Sequence, residues 1–140
     1  MKRAIFWIVV AAAAGLLAWW LGPSYFRGGD PGSIERLSRE AAQLNRSLPA
    51  MIDKETELTI TEAAPAMFIY KYRLVNVLGG KVDPARFAAA AKSYLVPNAC
   101  SRPETRADFL SKGVTMRYIY FDKDQQHIAT IDVTPKDCGF

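Results

Sequence analysis

An unbroken apolar run from Ala4 to Gly22, led by Lys2 and Arg3, withholds the first part of this chain from any ordinary water-soluble core. As a helix rising ~1.5 Å per residue the run would be about 28 Å long, close to the hydrocarbon thickness of a bilayer. About 110 residues are left over, which suits one domain with a modest core. The expected organisation is a cytoplasmic tip and transmembrane anchor over 1–22, a juxtamembrane linker over 23–32, and an extracytoplasmic α+β domain over 33–140.

The flanks of the run set its expected orientation. Lys2 and Arg3 precede it, and positive charge favours the cytoplasmic side. Trp19, Trp20 and Tyr25 gather at the other end, where amphipathic rings suit the membrane–water boundary. Arg27 weakens the asymmetry from several residues further on. A cleaved signal peptide is the rival reading. A cut after the small residues of Ala11–Ala14 would leave Gly15 through Leu21 exposed on the mature protein, so a retained single-pass anchor is expected.

The net charge of +4 belongs mainly to that N-terminal part. Lys2, Arg3 and Arg27 supply three of the charges, and from Gly28 onward the chain is nearly neutral. No basic stripe with interleaved aromatics occurs, which argues against nucleic acid as a partner. Cys100 and Cys138 are the only cysteines. On the outer side of a membrane a lone pair is most simply one structural disulfide, since no C-x-x-C redox spacing is present.

Past the Gly- and Pro-rich stretch Pro23–Gly32, Ser33 is placed to cap a helix running to about Leu48. Ile34, Leu37, Ala41, Leu44 and Leu48 form one apolar stripe along it, as a helix covering a sheet requires. Glu57–Thr61 and Phe68–Val77 alternate as strands, and the short link between them implies an antiparallel hairpin. Phe68, Tyr70, Tyr72 and Leu74 share one face of the second strand, a face that reads first as core. Gly79–Gly80 lacks the context of a phosphate loop and reads as a turn.

Asp83–Pro84 starts a helix through Leu95, with Phe87, Ala91, Tyr94 and Leu95 turned inward and Pro97 as its stop. Ser101-Arg-Pro-Glu104 matches a capping box for a further helix to Lys112, closed by Gly113. Val114–Phe121 and His127–Thr134 form a last hairpin around the polar loop 122–126. This order predicts a four-stranded antiparallel sheet with helices packed on one face.

Little in the chain is arranged for chemistry. His127 is the only histidine, so the chain cannot supply a multi-histidine metal site, and a Ser–His–Asp or Cys–His arrangement would have to use this one residue. Asp122, Asp124 and Asp132 lack the remaining ligands, central Gly and closing Glu of a calcium loop, and a solvated loop is expected there. Asp53, Glu55 and Glu57 alternate as the outward residues of a strand edge rather than as opposed carboxylates. No catalytic residue, metal or cofactor is assigned.

Gly113-Val-Thr, Tyr118-Ile-Tyr-Phe-Asp122, Ile128 and Val133-Thr-Pro-Lys-Asp-Cys138, with Asn98-Ala-Cys100, resemble a pattern in small bacterial single-pass envelope proteins of uncharacterised function. The resemblance covers roughly the C-terminal half. It implies a disulfide-tied domain of cystatin-like or nuclear-transport-factor-like type, and it carries no catalytic residues. The expected protein is a non-enzymatic adaptor or accessory component of an envelope or secretion assembly. It would sit in the inner membrane with its domain in the periplasm and bind a membrane-proximal protein. An immunity protein against a periplasmic toxin and a small-molecule binder are the alternatives. Tyr70, Tyr72, Tyr118 and Tyr120 form the candidate binding face for either kind of ligand.

Overall fold

Ser33 is extended and its hydroxyl accepts a hydrogen bond from the Arg36 N–H, which begins the first helix as its sequence predicts. The computed structural model describes residues 30–140, and Pro31–Phe140 form one compact unit. Helix α1 spans Ile34–Asn45. Its stripe is only partly inward: Leu37 and Ala41 are buried, while Ile34 and Leu44 are 42% and 36% exposed.

Strand β1 is the short segment Ala50–Met51, β2 spans Thr56–Ala64 and β3 spans Met67–Leu74. The β2–β3 hairpin closes through Pro65 and Ala66, and Ala66 takes a φ of +53°. Helix α2 spans Pro84–Ser101, capped by the Asp83 carboxylate, which accepts from the N–H groups of Ala85 and Arg86. A single turn, α3, covers Pro103–Arg106. Strands β4, Thr115–Phe121, and β5, His127–Val133, complete the fold.

The predicted four-stranded antiparallel sheet requires correction. The sheet has five strands in the order β1-β2-β3-β4-β5, and it is mixed because β3 and β4 run parallel. Each predicted hairpin forms, but the stretch between Leu74 and Thr115 holds α2 and α3 and carries the chain back across the sheet. A crossover of that length is what a parallel pair needs and lets β4 run alongside β3 in the same direction, which a tight turn does not allow. The predicted transmembrane anchor, with Lys2, Arg3, Trp19 and Trp20, lies outside the described residues. Among those described, no helix is long and apolar enough to cross a membrane.

Two helix boundaries also differ from expectation. Pro97 does not stop α2, which continues for another turn to Ser101. Pro97 lies on the exposed side, so its missing N–H costs a bond on the wet face, while Leu95 and Ala99 hold the opposite face in the core. The Ser101 hydroxyl consequently bonds Asn98 within the last turn of α2 and caps nothing downstream. The segment after it breaks into α3 and a short 3₁₀ turn, Leu110–Lys112. Gly113 ends that turn at a φ of +83°, a conformation only glycine adopts without strain.

Helices α1 and α2 lie on the same face of the sheet, α1 chiefly over β2 and α2 chiefly over β5. Leu37, Phe68, Leu110, Val114, Met116 and Val133 are essentially fully buried between the layers. The opposite face carries ion pairs across adjacent strands: Lys71–Glu62 at 2.8 Å, Arg73–Glu57 at 3.3 Å, and a two-bond Arg117–Asp132 pair at 2.8 and 2.9 Å. Such half-exposed pairs add little stability, but opposite charges facing each other favour the native register over a slipped one.

Candidate functional site

Because α1 covers β2 and α2 covers β5, the centre of the sheet's helical face is left to β3 and β4. Their parallel register puts Tyr70 beside Tyr118 and Tyr72 beside Tyr120. The four rings form a stacked array: Tyr70–Tyr118 centroids are 5.3 Å apart at 9° between planes, and Tyr72–Tyr120 are 5.1 Å apart at 19°. Tyr72 also stacks on Tyr70 and Tyr118, each at 6.2 Å. Phe68 at one end and Phe87 near the other meet the array edge-on, at 5.2 Å from Tyr70 and 5.0 Å from Tyr120. The structure thus brings together the four tyrosines named from the sequence, although they come from strands far apart in the chain.

Tyr72 and Tyr118 are buried and Tyr70 and Tyr120 half-buried, yet none of the four hydroxyls makes a hydrogen bond to any described residue. No buried side-chain oxygen or nitrogen in the described part is left unpartnered, so the hydroxyls reach the solvent of the groove. Burial holds each phenol neutral: Tyr70 and Tyr120 are pushed up to about 12, and Tyr72 and Tyr118 further still. Glu40 adds to the effect on Tyr70, and neighbouring phenols add to it on Tyr72 and Tyr118. Each hydroxyl is therefore an available donor at neutral pH.

Two open hollows lie over this floor and share Tyr70. One, of about 180 Å³, is bounded by Tyr94, Asn98 and Arg102 from the α2 side, with Tyr72, Tyr118 and Thr105. The other, of about 320 Å³, is bounded by Glu40, Gln43, Leu44 and Ser47 of the α1 side, with Phe68 and Phe109. The two hollows, hereafter the groove, adjoin at Tyr70, one bordered by the cation Arg102 and the other by the carboxylate Glu40. Tyr94, expected to face the core, is instead 67% exposed on the rim. Sequence reasoning missed Glu40, Leu44, Asn98 and Arg102 as groove residues. Only the exposure of Leu44 at the edge of the α1 stripe had a legible trace, because the others depend on which strand lies beneath them.

Cys100 and Cys138 form a disulfide, with Cα atoms 5.4 Å apart. It fastens the last turn of α2, one wall of the groove, to the 3₁₀ turn Pro135–Cys138 that follows β5. Thr134 and Asp137 cap that turn reciprocally, and Arg106 lies over the Phe140 ring at 4.6 Å.

The remaining polar candidates serve structure. Asp122 is not a solvated loop residue but is 4% exposed. Its carboxylate accepts from the backbone N–H groups of Gly79, Asp124 and Gln126. Those donors, Gln126 foremost, hold its pKa below the usual carboxylate range. Asp53, Glu55 and Glu57 do not share a strand face. Asp53 folds back to accept from the N–H groups of Glu55 and Thr56, and Glu57 pairs with Arg73. His127 is exposed, with its Nε2 2.9 Å from the Thr130 hydroxyl. The described residues contain no group of three or more side chains able to hold a metal ion.

No protein-family model and no curated protein sequence matches the chain. Solved structures do resemble it. A secreted protein of Pseudomonas aeruginosa superposes with a TM-score of 0.62 at 17% identity, covering 75% of this chain and 91% of that one. The type 2 secretion system pilotin EpsS of Vibrio vulnificus gives 0.62 at 18% identity, over 75% and 90%. The type II secretion system pilotin AspS of Vibrio cholerae gives 0.58 at 17% identity, over 75% and 91%. These likenesses show a shared fold, and none of the three is described as cystatin-like or nuclear-transport-factor-like.

Proposed function

We propose that this chain is a non-enzymatic accessory component of a secretion assembly, and that its groove receives a segment of a protein partner. One observation carries the reading: Tyr70, Tyr72 and Tyr118 of the stacked array form the floor of open hollows, with hydroxyls that no part of the described protein satisfies. A floor two strands wide measures about 10 Å at the usual strand spacing, which matches the diameter of a single helix. Laying an amphipathic helix in such a groove is a common way to bind a protein segment. Leu44 and Tyr94 on the two rims would add apolar contact.

The fold shared with two secretion pilotins and a secreted protein supports this role and an extracytoplasmic setting. The disulfide fits an oxidising compartment, and the Ala4–Gly22 run behind Lys2 and Arg3 has the character of an export segment. A small-molecule site is less well supported, because such sites enclose most of their ligand and these hollows are open. No feature of the groove favours the narrower reading as an immunity protein.

A photocrosslinking amino acid placed at Leu44 or Tyr94 in producing cells should give a discrete adduct with one envelope protein. The same probe at Ile119, on the opposite face of the sheet, should give none. Adducts of equal yield from both faces, or none from the groove, would refute the proposal.

A further inference from the structure

We propose that Arg102, with the hydroxyls of Tyr72 and Tyr118, selects a partner segment that presents a carboxylate side chain to the α2 end of the groove. This deepens the reading of the groove as a protein-binding site and rests on it. Arg102 is well placed for such a role. It directly follows the last residue of α2, two residues past the disulfide, with Pro103 after it. Its own N–H donates to Asn98 and its carbonyl accepts from Thr105 and Arg106, so the base of the side chain is fixed.

The guanidinium makes no side-chain hydrogen bond or ion pair with a described residue, yet it borders the hollow that contains Tyr72 and Tyr118. It is near enough to both phenols to favour their ionised forms against the stronger opposing effect of burial. Both tyrosines are more than nine-tenths buried, and both line that hollow.

The inventory of polar groups decides which ligand fits. Arg102 offers only donors, the two phenols add donors, and the Thr105 hydroxyl already donates to the carbonyls of Ala99 and Arg102. A carboxylate is an acceptor-only group that can take two guanidinium bonds and further hydroxyl bonds at once. A lysine there would meet a like charge, and an amide would waste its donor half. The opposite end of the groove carries Glu40 beside Tyr70, so the groove is polar along its length. It therefore favours one direction of the bound segment: acidic residue toward Arg102, neutral or basic residue toward Glu40.

The test uses the full-length protein in mild detergent and fluorescent amphipathic helical peptides. These share a leucine stripe and differ only in carrying Glu, Gln or Lys at each flanking position in turn. The best Glu peptide should bind about tenfold more tightly than its Gln counterpart, in line with a hydrogen bond to a charged group, and the Lys peptide more weakly than either. Arg102→Gln should abolish the preference for the Glu peptide over the Gln peptide. Arg102 is exposed, so this variant should fold, and unchanged thermal unfolding verifies that. Equal binding of the Glu and Gln peptides, or a preference that survives Arg102→Gln, overturns the inference and leaves the groove reading standing. If no peptide binds, or if Tyr118→Ala leaves the Gln peptide's affinity intact, the groove reading itself fails and takes this inference with it.

Discussion

Asn45 completes the hydrogen bonding of Thr61 where the sheet runs out of strands. Its Oδ1 accepts from both the Thr61 N–H and the Thr61 hydroxyl at 2.8 Å, and its Nδ2 donates to the Thr61 carbonyl at 2.9 Å. β1 pairs only with Leu58 and Glu57 of β2, so the last residue of α1 supplies the peptide-like partner that β1 is too short to provide. Thr61 is 1% exposed, so water cannot easily replace it. Asn45→Ala should destabilise the domain by about 2–3 kcal/mol, the usual cost of leaving buried backbone groups unsatisfied. Urea denaturation followed by circular dichroism reads this, and Gln43→Ala, two residues earlier on an exposed site, should have little effect.

The tyrosine floor separates stability from binding. Tyr72→Phe and Tyr118→Phe remove hydroxyls that bond to nothing in the described protein, so unfolding midpoints should change little. Tyr118→Ala removes a buried ring and should cost about 3–5 kcal/mol. A Phe variant that unfolds much earlier than the parent would show that these hydroxyls have an intramolecular partner.

Alkaline titration gives a second view of the same array. A phenol whose pKa is raised on folding contributes stability that is complete below the unfolded value near 10 and is lost as pH climbs through the folded value. For Tyr70 and Tyr120 that window extends to about 12. Ultraviolet titration of the native protein at pH 11 should therefore show these four phenols still protonated. In denaturant, all six tyrosines of the chain should ionise together near the ordinary value.

Acid acts through Asp122. Its pKa is depressed in the folded protein, so its contribution is present above the unfolded carboxylate value and disappears as pH falls through the folded one. Asp122→Asn should lower the unfolding temperature at neutral pH, and its difference from the parent should shrink as the solution is acidified below pH about 4. A constant difference across that range would mean the charge is not what binds the three amides.

The disulfide spans a sequence separation of 38. Closing a loop of that size corresponds to roughly 4 kcal/mol of constraint on the unfolded chain. The double variant Cys100→Ser with Cys138→Ser should lower the denaturation midpoint by a matching amount, and reductant should then have no further effect. Intact mass should differ between oxidised and reduced parent by two hydrogens.

Local chemistry was legible in this chain and long-range pairing was not. The caps at Ser33 and Asp83, both hairpins and the glycine turn at Gly113 depend on neighbouring residues, and each forms where its residues are. The parallel join of β3 to β4 depends on the path taken by the segment 75–114 between them, which no periodicity records. Tyr70, Tyr72, Tyr118 and Tyr120 could be named because alternation places each on an inward face. Arg102 could not, because its relevance comes from the strand beneath α2. Pro97 misled for a related reason: whether a proline stops a helix depends on which side of that helix is wet.

The parallel join has a consequence in time as well as in space. Tyr70 and Tyr72 belong to the first hairpin, Tyr118 and Tyr120 to the second, and the floor is the seam along which the two halves meet. A chain still emerging from synthesis has no site until its final strands have docked. Engagement of a partner would therefore report that the whole domain has been made and folded.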